Sequence, residues 1–284
     1  MFGITGWLVA QERTREVLVI QLWMNGLNVA LDLWFVLGLG WGVEGVAIAT
    51  FVAEWSGLAL AIWLCRHTFI TPLWRDWSQV FDRARLNLMW SVNRDILIRS
   101  LLLEIITVSF LFLGADFGDV TLAANQVLLQ FLQIAAHGLG GFAFAAEALV
   151  GDRLGKRDFA DMKYIIWRST LLAFYSSVLL SAVLFFCRLP ILSILTSQPD
   201  LIEATTAIWI YVSVIPLVSF LAFQMDGVFV GASNSAEMRN GMVFALISFI
   251  AAHYLFSFAD LDAALTAFIF YLGARGVYLA ARLP

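Results

Sequence analysis

The sequence predicts an all-α protein whose helices cross a membrane as a polytopic bundle, and three observations carry that expectation. Hydrophobic residues make up 61% of the 284-residue chain and charged residues 13%, with 24 Phe and 11 Trp. That is more apolar surface than a water-soluble domain can hide, and the mean hydropathy is +0.86. The apolar residues gather into eight runs, each near the roughly 20 residues that a helix rising 1.5 Å per residue needs to cross a ~30 Å hydrocarbon core. Finally, 13 of the 17 Lys and Arg fall in alternate loops, the bias that orients membrane helices.

In chain order, Met1 to Ala10 is a short apolar run before Gln11-Glu12-Arg13. It has no basic n-region and no small-residue cleavage site, so it is not read as a signal peptide. It is also too short to span, and the expectation is the tail of a helix whose beginning is missing, in a chain that is a fragment. Spans follow at 17–37, 43–65, 95–114, 119–150, 163–186, 205–230, 240–258 and 263–281. Between the first two, Gly38-Leu39-Gly40-Trp41-Gly42 suits a tight hairpin. The one sizeable loop, Arg66 to Asn93, mixes Trp74, Trp77, Phe81 and Trp90 with Arg75, Asp76, Asp82 and Arg83, an amphipathic interfacial pattern. If the bundle has two lobes, this loop joins them. The 119–150 run is long enough to need a bend, expected at His137-Gly138-Leu139-Gly140-Gly141, and Pro216 should disturb the sixth span.

The basic side carries Arg13 and Arg15, Arg66 to Arg94, Arg153 to Lys163, Arg239 and Arg282, and is expected to be cytoplasmic together with the C-terminus. The opposite loops hold Arg188 as their one basic residue, among Asp116, Asp119, Asp200, Glu203, Asp260 and Asp262. A net charge of −4 argues against a nucleic-acid partner. Cys65 and Cys187 fall at span ends on opposite sides, where they could not pair. No metal-ligand spacing occurs, and His67, His137 and His253 are dispersed, so neither a metal cofactor nor an interfacial lipid enzyme is expected.

Polar residues inside the spans single out the candidate sites. Gln21, Asn25, Asn28 and Asp32 fall at i, i+4, i+7 and i+11, one helix face. An ionised Asp near the middle of a membrane helix costs about 2.5–3.5 kcal/mol on insertion scales, so it faces a partner, a cavity or an ion path. Thr50 and Glu54 share a face of the second span and could meet that stripe across an antiparallel pair. In the third span Ser100, Glu104 and Thr107 share a face, and Asp95 with Arg99 is read as a structural i, i+4 ion pair. The fourth span carries Asn125 and the series Gln126, Gln130, Gln133 and His137, with Glu147 near its cytoplasmic end; the sixth ends in Gln224-Met225-Asp226-Gly227. Polar amides in such helices often only bond a neighbouring helix, and that reading stands beside the functional one.

The run from Asn28-Val29-Ala30-Leu31-Asp32 through Gly45-Val46-Ala47-Ile48-Ala49-Thr50 resembles the fifth and sixth helices of multidrug and toxin extrusion (MATE) transporters, in the DinF-like branch. Ala123-Ala124-Asn125-Gln126, leading to Gly141-Phe142-Ala143-Phe144-Ala145-Ala146-Glu147, resembles that branch's eighth helix, and Gln224-Met225-Asp226-Gly227-Val228-Phe229-Val230-Gly231 its tenth. The resemblance implies twelve helices in two lobes around a central cavity. On that frame residues 1–65 are the remnant of an N-terminal lobe (the end of helix four, then five and six), 66–94 a cytoplasmic inter-lobe loop, and 95–284 a complete six-helix C-terminal lobe.

The same resemblance implies a cation-coupled antiporter in a bacterial inner membrane, exporting lipophilic, often cationic, compounds against a proton or sodium gradient. It implies Asp32, Asn28 and Thr50 as the coupling site, whose helix-one partner is absent here. Glu104, Asn125, Gln126, Glu147 and Asp226 are candidates for a substrate or second cation site. Burial favours the neutral form of a carboxyl group, which would let one carboxylate link a proton gradient to export. The expected partners are membrane lipid and a small lipophilic substrate, with the protein a monomer and no cofactor beyond the coupling ion. The alternatives are a lipid-linked precursor flippase of the same superfamily, which needs a strongly cationic cavity, and an inactive truncated fragment.

Overall fold

The computed structural model describes residues 1–11, 13–68, 77–115, 117–256 and 261–283. Glu12, Trp74, Arg75, Asp76, Asp116 and Asp260, and the last two residues of the 240–258 run, lie outside them, as does the side chain of Asp262. All regular structure among the described residues is helical: α1 (Phe2–Ala10), α2 (Thr14–Asp32), a π-helical turn (Leu33–Gly38), α3 (Gly42–Leu64), α4 (Trp77–Val80), α5 (Arg83–Ala115), α6 (Asp119–Gly155), α7 (Phe159–Phe186), α8 (Arg188–Leu195), α9 (Pro199–Ala207), α10 (Trp209–Gly231), α11 (Ser235–Leu255) and α12 (Leu261–Ala281). Eight of these, α2 with its π turn, α3, α5, α6, α7, α10, α11 and α12, are long and apolar enough to cross a membrane.

Three boundaries differ from the sequence expectation for local reasons. The third long helix starts at Arg83, so the end of the presumed loop is its first three turns. Residues 199–207 form a separate helix before α10, with Pro199 in its first turn, where the missing N–H costs nothing. The fourth span runs unbroken through His137 to Gly141, because glycine is tolerated inside a helix whose packing supplies the stability.

The chain forms two compact units, Met1–Leu86 and Asn87–Pro284. In the first, α2 and α3 pack as an antiparallel hairpin. Gly45, Ala49, Ala53, Gly57 and Ala61 are the buried residues of α3, one every four, so the backbones approach closely along a small-residue stripe. A Cβ at Gly57 would meet the side chain of Met24, and one at Gly45 would meet Phe35 and Trp41. Most of the remaining surface of both helices is exposed, including Leu22, Trp34, Phe51 and Trp55, as suits side chains that face lipid.

In the second unit α10 is the central helix, packed against α6, α7 and α12 and buried from Trp209 through Phe229. Pro216 stays inside it. Trp209 donates its indole N–H to the Leu184 carbonyl at 2.7 Å, satisfying a group at the end of α7 that has no partner within its own helix. Phe110 of α5 stacks on Phe268 of α12 with centroids 4.4 Å apart. The tightest seam is between α6 and α10, where Gly227 and Gly231 lie directly on the backbones of Ala143 and Glu147. Gly227→Val should therefore force α10 off α6 and lower stability by about 1–3 kcal/mol or more. Thermal unfolding in detergent checks this, and an unchanged Tm would refute the close seam.

Candidate functional site

In the first unit the polar stripe meets α3 as its spacing suggests. Asn28 donates from Nδ2 to Thr50 Oγ1 at 3.3 Å, and one and a half turns earlier Trp23 donates to Ser56 Oγ at 3.2 Å. Since the amide nitrogen of Asn28 faces Thr50, its Oδ1 is left as an acceptor. Asp32 follows Asn28 by four residues on the same face. Its Oδ1 is buried and takes no hydrogen bond among the described residues.

The backbone changes form at this carboxylate. α2 ends at Asp32, and Leu33–Gly38 is π-helical, with Leu39 N–H reaching back to Trp34 O at 3.0 Å. Such π turns recur at functional sites because they widen the helix and re-aim neighbouring side chains. Sequence periodicity gave no sign of it. Gln21 is half-buried, and Asn25 and Glu54 are exposed.

The second unit sets two of the other candidates far apart. Asn125 and Glu147 are on one helix, about 33 Å apart at 1.5 Å per residue, so they cannot share a compact site. Asn125 is fully buried against Gly114, whereas Gln126 and Glu104 are exposed and Glu147 is half-buried. Thr107 returns its hydroxyl to Leu103 O at 3.0 Å, and His137 Nδ1 lies 2.7 Å from Gln133 O, so both are satisfied within their own helices.

Asp226 has two partners that sequence reasoning did not assign to it. Arg99 of α5 donates to its Oδ2 at 3.0 Å, and Arg275 of α12 donates to the same oxygen. The expected Asp95–Arg99 pair is not formed. Asp95 is instead held by Arg239 at 2.6 Å, by Arg94 at 3.3 Å and by Ser235. The reason is tertiary: an i, i+4 pair contributes only about 0.2–0.5 kcal/mol, while charges buried between helices demand the nearest opposite charge across the interface. α5 thus carries two ionic links one turn apart, Asp95 to α11 and Arg99 to α10. Arg99 and Arg275 are in-span arginines that need a counter-charge, but with several in-span acids available the spacing does not say which one they take.

Among the described residues no group of His, Cys, Asp and Glu is arranged to hold a metal ion, and Cys65 and Cys187 are free thiols.

Residues 96–259 match the MatE family profile. The chain is 30% identical over 280 residues to DNA damage-inducible protein F of Escherichia coli (strain K12), covering 98% of this chain and 61% of that protein. It is 30% identical over 217 residues to the probable multidrug resistance protein NorM of Neisseria meningitidis serogroup B, covering 70% of this chain and 45% of that one. The chain therefore spans less than two thirds of the length of these relatives. Among solved structures, an outward-facing multidrug resistance MATE family transporter of the MOP superfamily superposes with a TM-score of 0.84 at 18% identity, covering 99% of this chain and 65% of that one. The Vibrio cholerae MATE transporter VcmN gives 0.85 at 16% identity, covering 97% and 64%. These likenesses show the fold. With the profile matching more than half of its residues, the chain belongs to the MatE family, whose members are transporters and not enzymes.

Proposed function

We propose that the chain is part of an ion-coupled exporter of lipophilic compounds, with Asp32, Asn28 and Thr50 as its coupling site. One observation carries the reading: the hydrogen bond from Asn28 to Thr50 ties two helices together beside a carboxylate that has a buried, unpartnered oxygen. Carboxylate, amide carbonyl and hydroxyl oxygens suit a hard cation such as sodium. The same carboxylate can take a proton instead, in place of the cation. Either ion would discharge Asp32 and reduce its cost in the apolar phase, linking ion entry to movement of the helix pair. The protein is read as a monomer in a bacterial inner membrane with its arginine-rich ends and C-terminus in the cytoplasm.

The flippase alternative needs a free cationic cavity. Here Arg99 and Arg275 are both engaged by Asp226, which weakens it.

Ethidium efflux from vesicles energised by a proton or a sodium gradient tests the proposal, using the chain alone and the chain joined behind the N-terminal part of the E. coli relative. Thr50→Val keeps the shape and removes the hydroxyl. It should raise the ion concentration for half-maximal efflux about tenfold, the scale of one hydrogen bond to a charged group. An unaltered ion dependence would remove Thr50 from the site, and efflux indifferent to both gradients would end the coupled-export reading.

A further inference from the structure

At the arginine-poor end of the second unit, a cavity of about 460 Å³ opens where α7, α8, α9 and α10 meet, within the roughly 300–1,000 Å³ of ligand pockets. Its floor is Trp209, 2% exposed, whose only donor is already given to Leu184 O. Thr206 is likewise spent, its hydroxyl hydrogen bonded to Ile202 O at 2.6 Å. The apolar part of the walls is Phe185 and Phe186 at the end of α7, Leu189 on α8, and Ile210 at the start of α10, with polar atoms lining the rest. Phe186 and Ile210 are exposed at 80% and 52%, so the cavity opens sideways, toward lipid.

One lining group has hydrogen-bond donors to spare. Arg188 is the first residue of α8, two past the end of a 28-residue span, which sets it at the depth of the headgroups. It makes no ion pair among the described residues, although Asp200 and Glu203 lie on the neighbouring α9. It is also the one basic residue that the sequence places at this end of the bundle. A guanidinium beside an apolar, laterally open cavity matches an anionic oxygen fixed to a hydrocarbon chain, and its planar fork binds phosphate oxygens in parallel pairs.

We propose that this cavity binds a membrane phospholipid, with the phosphodiester on Arg188 and the upper part of an acyl chain along Phe186, Leu189 and Ile210. A soluble anion is disfavoured because it would leave the apolar walls of Phe185, Phe186, Leu189 and Ile210 against water or charge.

The test is native mass spectrometry of the full chain released from detergent micelles. The probes are dioleoyl phosphatidylglycerol, dioleoylglycerol with the same chains and no phosphate, and glycerol phosphate with no chains. The expected result is one retained phosphatidylglycerol per chain, its Kd raised about tenfold by Arg188→Gln, partly recovered in Arg188→Lys, and lost in Ala207→Trp, which fills the cavity. Arg188 is exposed, so its variants should keep the parental Tm. Equal retention by Arg188→Gln, or retention of dioleoylglycerol as tight as of the phospholipid, would overturn the phosphate contact. Glycerol phosphate held as tightly as the lipid would overturn the lipid assignment in favour of a soluble anion.

Discussion

Asp32→Asn should abolish gradient-driven ethidium efflux while leaving the helix hairpin folded. The substitution keeps the size of the side chain and its place after Asn28, and removes only the charge that an incoming cation or proton would neutralise. The hairpin does not depend on that charge, because α2 and α3 are held by the small-residue face Gly45–Ala61 and by the Trp23–Ser56 and Asn28–Thr50 hydrogen bonds. Stability in detergent should therefore stay at or slightly above the parental value, since a buried carboxylate oxygen without a partner is itself a cost. The measurements are efflux in energised vesicles and Tm on the same preparation. Normal efflux by Asp32→Asn would reduce the opening stripe to interhelix contacts. Lost efflux with a collapsed Tm would assign the residue to folding.

Asp226→Ala should produce the opposite pattern, with a large loss of stability. It strips the counter-charge from Arg99 and from Arg275, whose side chain is only 2% exposed, and breaking a buried ion pair by removing one partner costs about 3–5 kcal/mol. For a unit of this size that is a fall in Tm of about 10 °C. Replacing all three residues by apolar ones of similar volume, Arg99→Met and Arg275→Met with Asp226→Leu, should recover most of it, because a buried ionic cluster contributes little over good packing. Were Asp226 mainly a second cation site, Asp226→Ala would instead lose ion dependence at parental Tm, and the triple variant would recover nothing.

How much of this was legible beforehand differs by level. The all-helical bundle and its eight long apolar helices follow from run length and hydropathy, because in hydrocarbon a helix satisfies its backbone internally and local composition suffices. The meeting of Asn28 with Thr50 was also legible, since both helices flank a short glycine-rich turn that leaves one antiparallel register. The small-residue face of α3, Gly45 to Ala61 at a spacing of four, is likewise a local pattern.

What the sequence determined by itself, then, is the class of the protein, its spans, its polar faces and one contact between adjacent helices, Asn28 with Thr50, all consequences of periodicity along one or two adjacent helices. What only the tertiary structure decided is partnership over long separations: Arg99 with Asp226 and Arg275 rather than with Asp95, the seating of Gly227 on Ala143, the π turn after Asp32, and the cavity around Arg188. The physical reason is that a buried charge or a missing side chain selects whatever the packed bundle brings within reach, and spacing along one helix does not encode which helix that will be.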